Sequence, residues 1–258
     1  MTLTLSQLSA ALGKQTVLHD VSIACTKPEL IGLIGPNGAG KSTLMRAIAG
    51  LQPFSGAMQL NGRPSTAYRA DELAKLLAFL PQERIVHWPL IAYDVVMLGR
   101  MPHQSGFGKA SAHDHEVVKA AMHTMEVASF AERPFDQLSG GEQARLLIAR
   151  LLAQEPDIII ADEPVNGLDP AHQIGLMRTF QALVAQGKTV ITSLHDLSLA
   201  SYWCDRIIVL KEGQLIADGS PTDVLTAARI RGVYGVETAH LTLPQGSLVV
   251  PTDLADRK

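Results

Sequence analysis

The sequence is poor in cysteine, with two in 258 residues, Cys25 and Cys204. They match no metal-ligand spacing, and two thiols make no disulfide framework for a chain of this length. A reducing compartment is the expectation. Basic excess is also lacking. Lys and Arg total 22 against 25 Asp and Glu, a net charge of -3, which does not favour the basic stripe of a nucleic-acid surface. The apolar runs are short. Leu30–Ile34 and Ile158–Ala161 are examples, far below the roughly 20 residues of a membrane helix. No bilayer span is expected, so any role in transport must be exercised through contact with another chain. The first residues lack a basic start followed by an apolar core, so no signal peptide is expected.

What the sequence has is an apolar content of 47%, enough for one large domain or a core with an inserted subdomain. Residues 3–8 and 15–24 alternate and read as edge strands. Leu30–Ile34 suits a buried strand of a parallel sheet. A helix follows, carried by Ser42, Leu44, Met45, Ile48 and Ala49. Residues 57–60 lead into an Asn61-Gly62 turn, and 76–80 read as another buried strand. Residues 84–136 change character, with apolar positions at helical intervals in 95–98 and 117–127. A mostly helical insert is expected there. From Asp157 the strand–helix alternation returns, with strands at Ile158–Ala161, 189–192 and 206–210 and helices near 171–186 and 196–202. Such alternation means an α/β sheet with right-handed crossovers. Beyond residue 220 come a helical piece, 222–234, and a polar end without a motif.

The strongest local signal is Gly35-Pro36-Asn37-Gly38-Ala39-Gly40-Lys41-Ser42-Thr43. It satisfies G-x-x-x-x-G-K-[ST] and lies after a strand and before a helix, as that motif must. Glycines let the backbone wrap so that successive N–H groups face an anion. The helix N-terminus adds its partial positive charge. Lys41 would bring an ammonium to the β- and γ-phosphates, Ser42 a hydroxyl to Mg²⁺, and Thr43 a further hydroxyl to a phosphate oxygen. The motif points to a nucleoside triphosphate and is silent on what its energy drives.

A second polar site closes the apolar strand Ile158–Ala161, which runs into Asp162, Glu163 and Pro164. Buried parallel strands deliver their C-terminal residues to the ligand crevice. Asp162 would hold Mg²⁺ through its water shell, and Glu163 would polarise or position an attacking water.

Leu138-Ser139-Gly140-Gly141-Glu142-Gln143 is a second Gly-rich turn before a helical run, hence a second anion site. One ATP does not need two cradles in one chain, so the second is expected to serve a nucleotide held by another copy. This turn resembles the LSGGQ signature of the ABC ATPases, with Glu142 in place of Gln. The resemblance covers essentially the whole chain, with the motifs in the family's order. Gln82 looks like the Q-loop glutamine, which touches Mg²⁺ and water. Gly167-Leu168-Asp169-Pro170 looks like the D-loop that crosses the dimer seam. His195 matches the histidine that contacts the γ-phosphate. A lone Gln or His at a strand end is usually structural; their order beside two cradles and a carboxylate pair singles these out.

The resemblance implies a P-loop NTPase core with a parallel sheet and an N-terminal antiparallel β subdomain (residues 1–83 and 157–258), and an inserted helical subdomain (84–156). It implies a homodimer closed head to tail around two ATPs, with Mg²⁺. It also implies integral membrane permease subunits with a separate substrate-binding protein, a peripheral position on the cytoplasmic face of the inner membrane, and no nucleic acid. Two departures stand out. Leu12 occupies the place where the family usually stacks adenine on an aromatic ring, and Val165 replaces the common Thr or Ser after Asp-Glu-Pro.

The stretch 91–103 carries V-x-x-G-R-x-P-H, similar to ATPases of iron–siderophore, haem and cobalamin importers. On the residues alone, Arg100 and the face 95–98 fit equally a grip on a permease helix or an ordinary helix facing its own core. His87, His103, His113, His115 and His123 invite a metal reading, but His113 and His115 lie on different helix faces, and no metal site is expected there. Two other functions compete. A soluble ABC machine on DNA or the ribosome would need coiled coils or a second cassette, and a small-molecule kinase would have no use for the 138–143 turn.

Overall fold

A computed structural model describes residues 1–83, 89–104, 109–243 and 246–255. The chain forms two compact units, Met1–Ser65 with Phe180–Lys258, and Thr66–Thr179.

In the first unit, β1 (Leu3–Leu12), β2 (Gln15–Cys25), β4 (Ser55–Leu60) and β5 (Arg63–Pro64) make an antiparallel sheet of order β2-β1-β4-β5, while β3 (Leu30–Ile34) lies elsewhere. β1 pairs on both sides, Leu3 facing Cys25 and Leu60. It is therefore an interior strand and not the edge strand its alternation suggests. Alternation reports one buried face and says nothing about whether both edges are paired. β3 is buried at every residue. It pairs in parallel with β8 (Thr189–Ser193) and β9 (Arg206–Lys211), and β10 (Gln214–Gly219) adds to β9 antiparallel. A strand flanked on both sides and covered on both faces needs a continuous apolar run, which LIGLI supplies.

β3 passes through the Gly-rich loop into α1 (Lys41–Ile48), whose Leu44, Met45, Ala47 and Ile48 are buried while Arg46 meets solvent. β8 leads through a short turn to α7 (Leu197–Trp203). The expected single helix at 222–234 is two, α8 (Pro221–Val224) and α9 (Ala227–Tyr234), each with its own hydroxyl cap, Ser220 and Thr226. The chain beyond them is a hairpin of β11 (Val236–Leu243) and β12 (Gly246–Leu254). Its β-branched content and Gly246 were the available signal, masked by polar residues on a hairpin with one buried side chain, Val249.

The second unit pairs β6 (Leu77–Leu80) with β7 (Ile158–Ala161) in parallel. Around this pair stand α2 (Ala70–Leu76), α3 (Ala92–Met97), α4 (Ala112–Thr124) and α5 (Gly140–Ala153). α6 (Pro170–Ala185) contains the boundary between the units. α4 and α5 start on capping boxes, Ser111 with Asp114 and Ser139 with Glu142. Leu98–His103 is a short 3₁₀ helix packed so closely on α5 that a Cβ on Gly99 would sit 2.2 Å from the Arg150 carbonyl oxygen.

Arg100 settles an alternative left open by the sequence. It is 2% exposed. Its Nε donates to Asp114 at 2.8 Å, and its Nη1 donates to the Ala153 carbonyl and to Glu155, both at 2.7 Å. Val95 and Val96 are buried. Val95, Val96 and Arg100 face the core of their own unit while Leu98 and Met101 are exposed, so Arg100 is a buried ion-pair hub and not a grip on an outside helix.

Candidate functional site

In the first unit, the phosphate loop is built by backbone that side chains would forbid. Gly35 has φ 151°, and a Cβ there would lie 2.1 Å from the Leu210 carbonyl oxygen. Gly40, at φ 98°, would press a Cβ to 2.7 Å from Leu18. Gly38 has open space on its Cβ side, and Asn37 and Gly38 are exposed, so the outer rim of the loop meets solvent. Ala39 N donates to the Pro36 carbonyl at 3.1 Å, closing the turn. α1 then begins on Gly40 with no side-chain cap and no acidic residue in its first turn. Its first N–H groups have no intrahelical acceptor, and together with the dipole they favour an anion.

Lys41 is buried and folds back over the loop, its Nζ donating to the Gly35 carbonyl at 2.7 Å and the Pro36 carbonyl at 3.2 Å. Thr43 is buried and Ser42 half-buried at the same helix start. His195 is exposed in the turn between β8 and α7, one residue before Asp196. Asp196 caps α7 by accepting from Ser198 N at 2.7 Å and Leu199 N at 3.2 Å.

In the second unit, β7 ends in Asp162 and Glu163, both buried. Asp162 N donates to the Leu80 carbonyl, extending the ladder to the carboxylate itself. Glu163 has φ 50°, a left-handed backbone that a non-glycine residue rarely adopts. Its carboxylate accepts from Gln82 Nε2 at 2.7 Å and from Asn166 Nδ2. The fold thus brings together Gln82, from the end of β6, and Glu163, from the end of β7. Asn166 is a site residue that sequence reasoning passed over. It precedes Gly167 in an Asn-Gly turn, a spacing that returns a side chain toward position 163, and that was the signal available.

Ser139 and Gly140 are exposed at the start of α5, and Gly141 is half-buried. Nothing lies within 4 Å of a Cβ built on Gly140. Ser139 Oγ accepts from Glu142 N at 3.4 Å, and Ser139 N donates to the Glu142 carboxylate at 2.7 Å. These bonds hold the Glu142 carboxyl below the usual carboxylate range. Asp169 starts α6 and accepts from His172 N at 2.9 Å and meets His172 Nδ1 at 2.7 Å; the His172 backbone bond lowers its carboxyl. Of the histidines outside these sites, His115 bonds Tyr93 Oη at 2.6 Å, His103 meets the Gln154 carbonyl at 2.8 Å, and His113 lies 4.0 Å from Glu155. His87 falls outside the described residues.

In the second unit, Gln82 and Asp162 carry oxygen atoms of the kind that suit a hard divalent cation. In the first unit, Ser42 carries a hydroxyl at the start of α1. Glycine backbone and an uncapped helix start suit phosphate oxygens.

Comparison with known proteins agrees with that chemistry. The profile of the ABC transporter family matches residues 18–166. The chain is 40% identical to the hemin import ATP-binding protein HmuV of Thermobifida fusca, over 95% of this chain and 86% of that protein. It is 34% identical to the iron(3+)-hydroxamate import ATP-binding protein FhuC of Bacillus subtilis, over 94% and 91%. Among solved structures, it is similar to an ATP-binding subunit of an ABC transporter, with a TM-score of 0.78 and 26% identity over 92% of this chain and 96% of that one. Among the described residues, no helix is long and apolar enough to cross a membrane.

Proposed function

We propose that this chain, which belongs to the ABC transporter family, is the ATP-hydrolysing subunit of a membrane importer whose cargo is an iron chelate, haem or a cobalamin-type complex. The observation that carries the cargo class is its likeness to ATP-binding proteins of hemin and iron-hydroxamate import over nearly its whole length.

Each residue then has a task. Gly35, Pro36, Asn37, Gly38, Ala39 and Gly40 wrap the triphosphate with backbone N–H groups, and Thr43 adds a hydroxyl. Lys41 exchanges the carbonyls of Gly35 and Pro36 for phosphate oxygens. Its ammonium is already buried and oriented, so little reorganisation is needed when charge develops. Ser42, Asp162 and Gln82 would hold Mg²⁺, which neutralises phosphate charge when bound. Glu163 positions and polarises the attacking water, its carboxylate fixed by Gln82 and Asn166. His195 contacts the γ-phosphate. Ser139, Gly140, Gly141 and Asp169 serve a nucleotide held by a second copy. Residues 84–156 form the helical subdomain that meets the permease, and 1–83 with 157–258 form the ATP-binding core. The assembly is two copies of this chain on the cytoplasmic face of the inner membrane, bound to permease subunits that receive cargo from a separate binding protein. No nucleic acid takes part.

The test is recovery of tagged Glu163→Gln protein, loaded with ATP, from gently solubilised native membranes. Co-purification of a polytopic permease at equal stoichiometry supports the importer. Recovery of a soluble self-dimer alone, or of ribosomes or DNA-bound partners, overturns it and leaves a soluble ABC ATPase.

A further inference from the structure

Residues 164–169, which join Glu163 to α6, are held at both ends. At the start, Asn166 Nδ2 donates to the Glu163 carboxylate, and Asn166 N donates to the Glu163 carbonyl at 3.2 Å. Val165 and Leu168 are buried, while Asn166, Gly167 and Asp169 are exposed. At the far end α6 reaches back twice. Gln173 Nε2 donates to the Leu168 carbonyl at 3.2 Å. His172 takes both oxygens of Asp169: its backbone N–H donates to Oδ1 at 2.9 Å, and its Nδ1 lies 2.7 Å from Oδ2. An ionised carboxylate only accepts, so Nδ1 carries the hydrogen.

The backbone bond is the usual one, an aspartate before a helix accepting from the third N–H within it. The imidazole bond is not required by the helix. α4 and α5 carry an acid at the equivalent place, Asp114 and Glu142, each of which accepts from the backbone of its own cap. The dipole favours an anion there and disfavours a cation. What histidine does and an ionised acid cannot do is donate to the second oxygen of Asp169. Asp169 is 57% exposed, so its orientation rests on its bonds more than on packing. The charged groups of the neighbouring elements answer one another, with Arg145 Nη1 3.9 Å from the Glu126 carboxylate. Among the described residues, Asp169 is the side-chain partner of His172.

We infer that His172 is a positioning residue for Asp169, holding its carboxylate in one orientation on the loop that leads from Glu163. The inference rests on the reading of Asp169 as a residue that serves a nucleotide held by a second copy. A group that must meet another chain at one place works faster when its rotamer is fixed beforehand.

The test uses the full chain and measures kcat, KM for ATP and the thermal midpoint. His172→Ala removes one hydrogen bond to the carboxylate, and the expected result is a kcat about fivefold lower. KM stays within about twofold, because ATP first binds the phosphate loop of its own copy. The midpoint changes little, since a pair this exposed contributes little to stability. His172→Asn carries an amide nitrogen at the same bond distance from Cβ as Nδ1, and its kcat returns to within about twofold of the unaltered chain. In an Asp169→Ala background, His172→Ala produces no further loss. If His172→Ala does not fold, His172→Phe keeps a ring without the donor and is expected to show the same fivefold loss. A kcat within twofold of the unaltered chain in His172→Ala, beside an Asp169→Ala chain that has lost turnover, overturns the role of His172 alone. So does a loss that adds to that of Asp169→Ala, or an equal loss in His172→Asn, since the effect is then one of packing. Full turnover in Asp169→Ala overturns the reading of the aspartate, and the inference with it.

Discussion

Gln82 donates a 2.7 Å hydrogen bond to the Glu163 carboxylate, joining residues 81 positions apart. Asn166 donates to the same oxygen. Glu163 meanwhile holds a left-handed backbone at φ 50°, a conformation costing on the order of 1–2 kcal/mol at a non-glycine residue. Strain of that kind persists where the surroundings fix it, and here two amide donors and the β7 ladder do so. The carboxylate is held in one place by donors of its own unit.

The first prediction concerns that aim. Glu163→Gln is expected to bind ATP, persist as a dimer, and retain less than about a tenth of the turnover, since general-base or water-positioning groups contribute about 10²-fold or more. Asn166→Ala removes one of two donors, worth about 1 kcal/mol, and is expected to lower kcat about fivefold while leaving KM for ATP near its starting value. Steady-state hydrolysis by the full chain measures both.

The second concerns Arg100. It is buried and bonded to Asp114, Glu155 and the Ala153 carbonyl. Arg100→Ala strands the buried Asp114 and is expected to cost about 2–4 kcal/mol, read by chemical denaturation. The Arg100 guanidinium, with Ser111, holds the Asp114 carboxyl well below its ordinary 3.8. The folded pKa is the lower one, so this stabilisation is complete above about pH 4 and is lost as pH falls below it. The thermal midpoint of the unaltered chain is expected to drop between about pH 4 and pH 2 more steeply than that of Asp114→Asn.

Much of this was legible. The phosphate loop announces itself because glycine and lysine occupy fixed offsets after a five-residue apolar strand, and backbone sterics permit little else at Gly35 and Gly40. The carboxylate pair reads equally well from the end of β7. Arg100 was ambiguous because a buried ion pair and a surface grip both call for arginine beside apolar residues, and only Asp114 and Glu155, 14 and 55 positions away, decide between them. Gly99 belongs to the same lesson: its place in the pattern is dictated by the Arg150 carbonyl 2.2 Å from where a Cβ would be. The C-terminal hairpin was missed because its side chains are mostly exposed, so no buried face wrote an alternation into the sequence.

The third prediction concerns the base. Leu12, at the end of β1, is 50% exposed, and the family resemblance matches it to the adenine-stacking aromatic position. Leu12→Trp is expected to lower KM for ATP about three- to tenfold, the gain of one stacked ring at about 0.5–1.5 kcal/mol, with kcat little changed. An unchanged KM would place the adenine elsewhere.

The fourth concerns the thiols. Burial pushes Cys25 up to about 12 and raises Cys204 as well. Both stay protonated at pH 8, so alkylation by a thiol reagent is expected to be slow in the folded chain and fast in denaturant. Because the folded values lie above the ordinary 9.0, the associated stability is full below pH 9 and declines as pH rises past it.

β3 delivers the phosphate loop, yet its neighbours β8 and β9 begin 155 and 172 residues after it ends. At about 5–20 residues per second, the ribosome leaves this wholly apolar strand without its partners for roughly 10–30 s. All of Thr66–Thr179 emerges in that interval. The phosphate loop is thus synthesised early, and the strand that delivers it has neither parallel neighbour until Thr189–Ser193 and Arg206–Lys211 have followed.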